Sequence, residues 1–425
     1  MSLAAIKEWI RSYYLRAVYF PLFPQAKPHY FADSWRYPRA QTGQPPRSGL
    51  RFLFLPMTDW HTRIQRSQHL ALSLAKLGHE VVYLNPHLGR EYKYPWRWGE
   101  RPELRQLARG ITELHIHLPR EPVFHHRTLS LSEEHRLEQA LLQALPQHNR
   151  LSIVVSLPLW RQAAAKLKEQ SGASLVYDCH DLLDGFAGMA PEIIAKEDEL
   201  LDLCDIAVFS SAHLMQRKLS RKPALASKSV LIRNGVDREH FRGAQTRSNP
   251  TPVIGYAGAL EDWFDAELIE RAARTHPEWR FVLIGRIENP KIHHLRELPN
   301  VQLPGEVPYS DLPRHLAEFT VGIIPFAINQ LTLAADPIKL YEYFSLGLPV
   351  VTTALPEVER HGDLVYIADR DSFVVQLEQA ASECDEALPR RRRAVADAES
   401  WGRRAEELIA AVNSVNGRES RAKTH

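Results

Sequence analysis

No apolar run in this chain reaches the ~18 residues that a membrane-crossing helix needs, so no such helix is expected. Cysteine is scarce. Cys179, Cys204 and Cys384 stand far apart, without metal-ligand spacing, which argues against a disulfide framework or a zinc site and fits a reducing compartment. The first residues lack a signal-peptide core, because Lys7, Glu8, Arg11 and Arg16 interrupt it. There is no Gly-x-Gly-x-x-Gly fingerprint, no Walker A loop, no nucleophile elbow and no zinc-protease pattern. A dehydrogenase reading is therefore weak. The Asp-x-Asp at Asp369–Asp371 reads better as a helix N-cap than as a metal loop. A metal-independent activity without a resident cofactor is the expectation. The net charge of +2 points to no acidic partner, and the run Arg390–Arg393 reads as a solvated helix face, so no nucleic-acid partner is expected.

What is present is a chain of 425 residues, 44% apolar and 24% charged, which suits two or three domains of ~150 residues with a sizeable core. Residues 6–20 form a basic, aromatic helix candidate that either lies on an anionic membrane surface or packs on the protein. Residues 23–49 read as an irregular connector, rich in Pro, Arg and aromatics. From Leu50 the pattern alternates. Strands are expected over 51–56, 80–84, 111–118, 152–156, 175–179, 206–210 and 230–233, with helices over 64–76, 132–145, 159–169, 191–203 and 212–219. A second series has strands over 253–257, 280–284, 301–303, 321–325, 349–353 and 364–368, with helices around 263–275, 309–318, 337–346, 371–383 and 390–413. Continuous apolar strands between helices imply parallel sheets covered on both faces. The expected fold is α/β, with two Rossmann-like doubly wound domains facing across a cleft. The expected divisions are an extension over 1–49, a first domain over 50–235, a linker over 236–252, a second domain over 253–398 and a C-terminal helix and tail over 399–425.

Ligands of such folds bind outside the carboxyl ends of the strands, so the loops that follow strands carry the chemistry. The most informative is the run from Asp336 to Val351. Pro337 fits the first position of a short helix, Gly347 fits its exit, and Pro349 prevents its resumption. Lys339, Glu342 and Ser345 share one face. A cation at a helix N-terminus can meet a phosphate, and a carboxylate one turn later can accept from sugar hydroxyls; alternatively, the two form a surface ion pair. After the first strand, Trp60, His61, Arg63, Gln65 and Arg66 either contact an acceptor or form a helix start capped by Asp59 or Thr62. After the 175–179 strand come Asp178, His180, Asp181 and Asp184, suited to general-base work, to sugar hydroxyls, or to capping beside a core histidine. Gly258 permits close backbone approach to a phosphate. Arg286 faces a pyrophosphate or serves a turn.

The order of 232–237, 256–258, 281–285 and 337–351 resembles the GT-B glycosyltransferases, most of all the retaining nucleotide-sugar family four, often labelled group 1, in its bacterial surface-polysaccharide subgroup. The likeness covers roughly 50–415. It implies a cytoplasmic enzyme, with peripheral contact at the inner face of the membrane left open. The implied activity is hexosyl transfer from a nucleotide diphosphate sugar to a glycan or lipid-linked acceptor. By this likeness Glu342 holds the ribose, and Lys339 lies near the diphosphate. Pro337, Tyr341, Gly258 and Arg286 complete the donor side. His180 lies beside the donor sugar, with Asp181 or Asp184 as a base if the reaction inverts. Trp60, His61, Arg63 and Arg66 face the acceptor. The family's first glutamate corresponds to Ala334 here. Two other readings stay open: a catalytically silent glycan-binding or scaffold protein, and a nucleotide-sugar epimerase.

Overall fold

The computed structural model describes residues 49–58, 60, 63–85, 103–116, 127–145, 150–186, 188–244, 246 and 249–422. The expected surface helix over 6–20, the candidate caps Asp59 and Thr62, and His61 lie outside these residues. The chain divides into two units, Met1–Phe209 with Lys222–Val230 and Ala405–His425, and Ser210–Arg221 with Leu231–Arg404.

The first unit follows the alternating pattern: β1 (Arg51–Leu55), α1 (Arg66–Lys76), β2 (Glu80–Asn85), β3 (Glu103–Ala108), β4 (Ile111–His115), α2 (Leu131–Ala144), β5 (Leu151–Val155), α3 (Arg161–Ser171), β6 (Ser174–Cys179), α4 (Pro191–Leu203) and β7 (Ile206–Phe209). The chain then forms α5 (Ala212–Arg221), which belongs to the second unit, before β8 (Ser229–Leu231). The sheet order is β3-β4-β2-β1-β5-β6-β7-β8. Strands β5 and β6 are buried at every residue, as the apolar runs require when both faces are covered. An antiparallel pair, β3 with β4, sits at an edge. Helix α1 starts at Arg66, two residues later than expected, because Gln65 and Gln68 form a reciprocal capping box there.

The second unit holds α6 (Arg238–Phe241), β9 (Val253–Ala257), α7 (Ala266–Thr275), β10 (Arg280–Ile284), β11 (Val301–Gly305), α8 (Leu312–Leu316), β12 (Val321–Ile324), α9 (Gln330–Leu333), α10 (Ile338–Leu346), β13 (Val350–Thr353), α11 (Pro356–Glu359), β14 (Tyr366–Ala368), α12 (Phe373–Ala381), α13 (Ala387–Ala398) and the start of α14 (Trp401–Ala422). Its strand order, β11-β10-β9-β12-β13-β14, is the Rossmann order, with every pair parallel. The order reverses between β9 and β12. Gly322 in β12 makes room for α10, since a Cβ there would lie 2.6 Å from the Tyr343 ring.

Several boundaries differ from the sequence reading. The single helix expected over 390–413 is two helices. The break falls where Val236 donates from its N–H to the Glu399 carbonyl and accepts from the Trp401 N–H, as Val236 and Ser400 pair in parallel. Part of the expected linker is packed structure: Val236 is buried, Asp237 caps α6 and Phe241 enters the core. The Arg390–Arg393 run is not uniformly solvated. Arg392 is fully buried, forms a bidentate pair with Glu383 at 2.6 and 2.5 Å, and donates to the Leu364 carbonyl. Among the described residues no helix is long and apolar enough to cross a membrane.

Removing one partner of a buried pair strands the other charge, which costs about 3–5 kcal/mol. Arg392→Ala should lower unfolding stability by that amount in urea titration. A loss below about 1 kcal/mol would show that Glu383 relaxes into water and that the pair is not structural.

Candidate functional site

In the second unit, the polar groups gather where the strand order reverses. Lys339, in the first turn of α10, lays its ammonium 5.3 Å from the centre of the Tyr256 ring at the end of β9 and 4.8 Å from that of Phe326, just past β12. The backbone of Gly258 closes on the same side chain: a Cβ there would lie 2.9 Å from Lys339 Cε, and its φ of +152° favours glycine. Glu342, one turn on, is 8% exposed. Among the described residues neither Lys339 nor Glu342 has a hydrogen-bonding or ion-pair partner. Burial pushes Glu342 up to about 7, partly offset by the Lys339 charge. Burial likewise pulls Lys339 down to about 8, with Glu342 opposing.

The helix that carries them is fixed at both ends. The Tyr343 hydroxyl accepts from the Ala257 N–H at 2.9 Å and pins α10 to β9. Gly347, at φ +77°, ends the helix. Its last carbonyls are met by three guanidinium groups: Arg238 to Ser345 at 2.7 Å, Arg393 to Leu346 at 3.3 Å and Arg392 to Gly347 at 3.4 Å. Pro337 is buried at the N-cap, one position before its expected place.

Two expected donor contacts are engaged elsewhere. Tyr341 is fully buried and donates to Asp336 at 2.8 Å, so it faces the interior. Arg286 is exposed and paired with Glu288 at 2.6 Å, held by a neighbour two residues away rather than turned to the site. Asp336 itself carried no role in the sequence reading. It is buried, its carboxylate accepts from the Asn234 N–H at 2.7 Å, and burial pushes it up to about 6. Ala334 is 1% exposed, and its carbonyl accepts from Ser211 at 2.6 Å.

In the first unit, the polar cluster lies at the end of β6. Arg66 and Asp178 form a buried bidentate pair, with Nε at 2.9 and 3.1 Å from the two carboxylate oxygens. Arg66 therefore does not face an acceptor; its charge is spent inside the unit. Trp60 is likewise no surface contact: it is 1% exposed and packs edge-on against Tyr83 at 4.9 Å. Arg63 is half-buried, and its carbonyl accepts from Gln68 at 2.7 Å. His180 Nδ1 lies 3.1 Å from the Asp178 carbonyl, the geometry of an Nδ1–H donor, which leaves Nε2 3.5 Å from Asp181. Burial raises the Asp181 carboxyl, with His180 and Arg66 opposing. Asp184 is exposed. The structure thus brings His180 and Asp181 together. Among the described residues, no three His, Cys, Asp or Glu side chains group closely enough to hold a metal ion.

Comparison with known proteins bears on the fold. Sucrose-phosphate synthase from Thermosynechococcus elongatus superposes with a TM-score of 0.68 at 14% identity, over 87% of this chain and all of that one. Anabaena HepE, solved with UDP and glucose, superposes with a TM-score of 0.56 at 14% identity, over 86% of this chain and 99% of that one. The fold is the GT-B fold of the glycosyltransferases. Residues 251–384 match the family described as "Glycosyl transferases group 1", so the resemblance carried by the 256–258, 281–285 and 337–351 motifs holds. TuaH of Bacillus subtilis (strain 168), whose name provisionally marks it as a teichuronic acid biosynthesis glycosyltransferase, is 27% identical over 205 residues, 44% of this chain and 52% of its own. The chain thus spans about half the length of this curated relative.

A lysine whose charge is disfavoured by folding should destabilise the ligand-free protein. Lys339→Met should therefore melt above the wild type at pH 7. The gap should narrow from pH about 8 towards ~10, where the unfolded chain still holds a proton that folded wild type has released. Thermal melts across that range check the sign; a lower-melting variant at pH 7 contradicts it.

Proposed function

We propose that this chain is a hexosyltransferase that moves a sugar from a nucleoside diphosphate donor to a glycan or lipid-linked acceptor during synthesis of a surface polysaccharide. The observation that carries the proposal is the unpartnered Lys339 and Glu342 at the point of strand-order reversal, inside the span that matches the group 1 family. A half-buried cation that meets only two aromatic rings favours an anion, and a buried carboxylate without a donor favours hydroxyl groups. A diphosphate followed by a ribose supplies both. The provisional role of TuaH supports the polysaccharide context, and the free cysteines suit a cytoplasmic location.

In this mechanism Lys339 and the positive end of α10 stabilise the negative charge that develops on the leaving diphosphate. No metal ion or cofactor has an assigned step. Transfer with retention is proposed, because the motifs resemble a retaining family; the leaving phosphate then accepts the proton of the acceptor hydroxyl. Inversion is the second reading, favoured by the raised Asp181 carboxyl beside His180, a suitable base. The anomeric configuration of the product, read by NMR, separates the two.

Calorimetric titration with UDP, GDP, ADP, CDP and dTDP should find at least one ligand, and failure with all five would remove the proposal. Lys339→Ala and Glu342→Ala should each weaken that binding by about 1–3 kcal/mol. The affinity should peak between pH 7 and 8. Below about 7 Glu342 takes up a proton and ceases to be a pure acceptor, and above about 8 Lys339 loses its charge. Lys339→Ala should abolish the alkaline fall.

A further inference from the structure

Asp336 lies three residues before Lys339, and it anchors a polar cluster that the proposed chemistry does not use. Its carboxylate accepts from the Asn234 N–H at 2.7 Å and from the Tyr341 hydroxyl at 2.8 Å, while its own carbonyl accepts from Asn234 Nδ2 at 2.6 Å. The Tyr341 hydroxyl in turn accepts from Arg360 at 3.0 Å, and Arg360 pairs with Glu399 at 3.2 Å. Arg404 closes the circuit, pairing with Glu399 and donating to the Asn234 carbonyl at 3.1 Å.

These partners are not scattered. The chain enters the second unit at Leu231 and leaves it at Arg404. Asn234 follows the entry, and Glu399 and Arg404 precede the exit. The backbones of the two segments also touch: a Cβ on Gly235 would lie 2.7 Å from the Glu399 carbonyl. The earlier entry, at Ser210, is held to the same region, since the Ala212 N–H donates to Glu357 at 2.5 Å and Glu357 pairs with Arg233 at 2.6 Å. The first turn of α10, with the donor-site lysine, is therefore tied through Asp336 and Tyr341 to the segments by which the chain enters and leaves the unit.

We propose that Asp336 and Tyr341 are positioning residues that hold the N-terminal turn of α10, and with it Lys339 and Glu342, in register with the entry and exit segments of the second unit. Neither side chain needs to touch the ligand. Tyr341 is fully buried, and both Asp336 carboxylate oxygens are already bonded. The inference rests on the donor-site reading for its consequence but not for its geometry.

The test uses the full chain with Asp336→Asn and with Tyr341→Phe, which removes a single hydroxyl and keeps the ring. The ligand-free arm is hydrogen–deuterium exchange. Peptides covering 337–343 should lose protection at least tenfold in both variants, while those covering β9 and β13 stay as in the wild type. The ligand arm titrates the nucleoside diphosphate that binds the wild type. Affinity should fall at least tenfold, and the alkaline limb assigned to Lys339 should move away from pH about 8, which a loss of bulk stability alone would not cause. Exchange over 337–343 at the wild-type rate in folded Tyr341→Phe overturns the positioning role. If no nucleotide binds the wild type, the donor-site reading falls, and the exchange arm still decides whether these residues hold the helix.

Discussion

Drawing an ammonium partly, and a carboxylate almost wholly, out of water without giving either a hydrogen-bonding partner costs free energy, and the second unit accepts that cost on one nine-residue helix. The rest of α10 offsets it. Every residue from Leu340 to Leu346 is buried, the Tyr343 hydroxyl bonds the end of β9, and three arginines meet the C-terminal carbonyls. Positive charge at the C-terminus satisfies the negative end of the helix dipole. The positive end, at the first turn, is left with Lys339 beside it. The field of the helix and the charge of the side chain therefore add at the same place, which is an arrangement for an anion and a poor one for stability alone.

Topology fixes where that place is. In the order β11-β10-β9-β12-β13-β14, the reversal falls between β9 and β12, and in sheets of this order ligands bind past the carboxyl ends of the strands at that point. Tyr256 is the penultimate residue of β9 and Phe326 follows β12, and the Lys339 ammonium lies against both rings. Gly258 is the other half of the same geometry. Any side chain there would meet Lys339 Cε at 2.9 Å, so the lysine and the glycine occupy one site together.

Much of this was legible in the chain. Apolar runs such as those of β9 and β10 specify strands locally. Gly347 and Pro349 specify where α10 stops, because backbone conformation at these residues depends little on the rest of the fold. What was not legible depends on partners distant in sequence. Arg66 looked like a surface contact because its partner, Asp178, lies 112 positions away. Tyr341 looked like a ligand contact, and Arg392 like one of four solvated arginines, because nothing local reveals that each is buried with a polar partner. The break at Glu399 and Ser400 follows from pairing with Val236, which no helical periodicity contains. The signal for Asp336 was its place immediately before a helix, but that reads as capping, whereas its carboxylate serves Asn234 and Tyr341.

The Arg66–Asp178 cluster of the first unit and the Lys339–Glu342 cluster of the second hold their charges in opposite ways. In the first unit Arg66 and Asp178 form a buried bidentate pair, and the Asp178 carbonyl then orients His180, so the imidazole is held by a structure that needs no ligand. In the second unit Lys339 and Glu342 are close enough to shift one another and too far apart to pair. A paired charge is rigid and indifferent to what arrives; an unpaired one gains when something arrives. Because the ligand would supply the missing partners only in the folded state, its binding and the stability of the second unit are linked. Under the proposed donor reading, the two side chains that folding leaves without hydrogen-bonding partners are those that an anion followed by hydroxyl groups would satisfy.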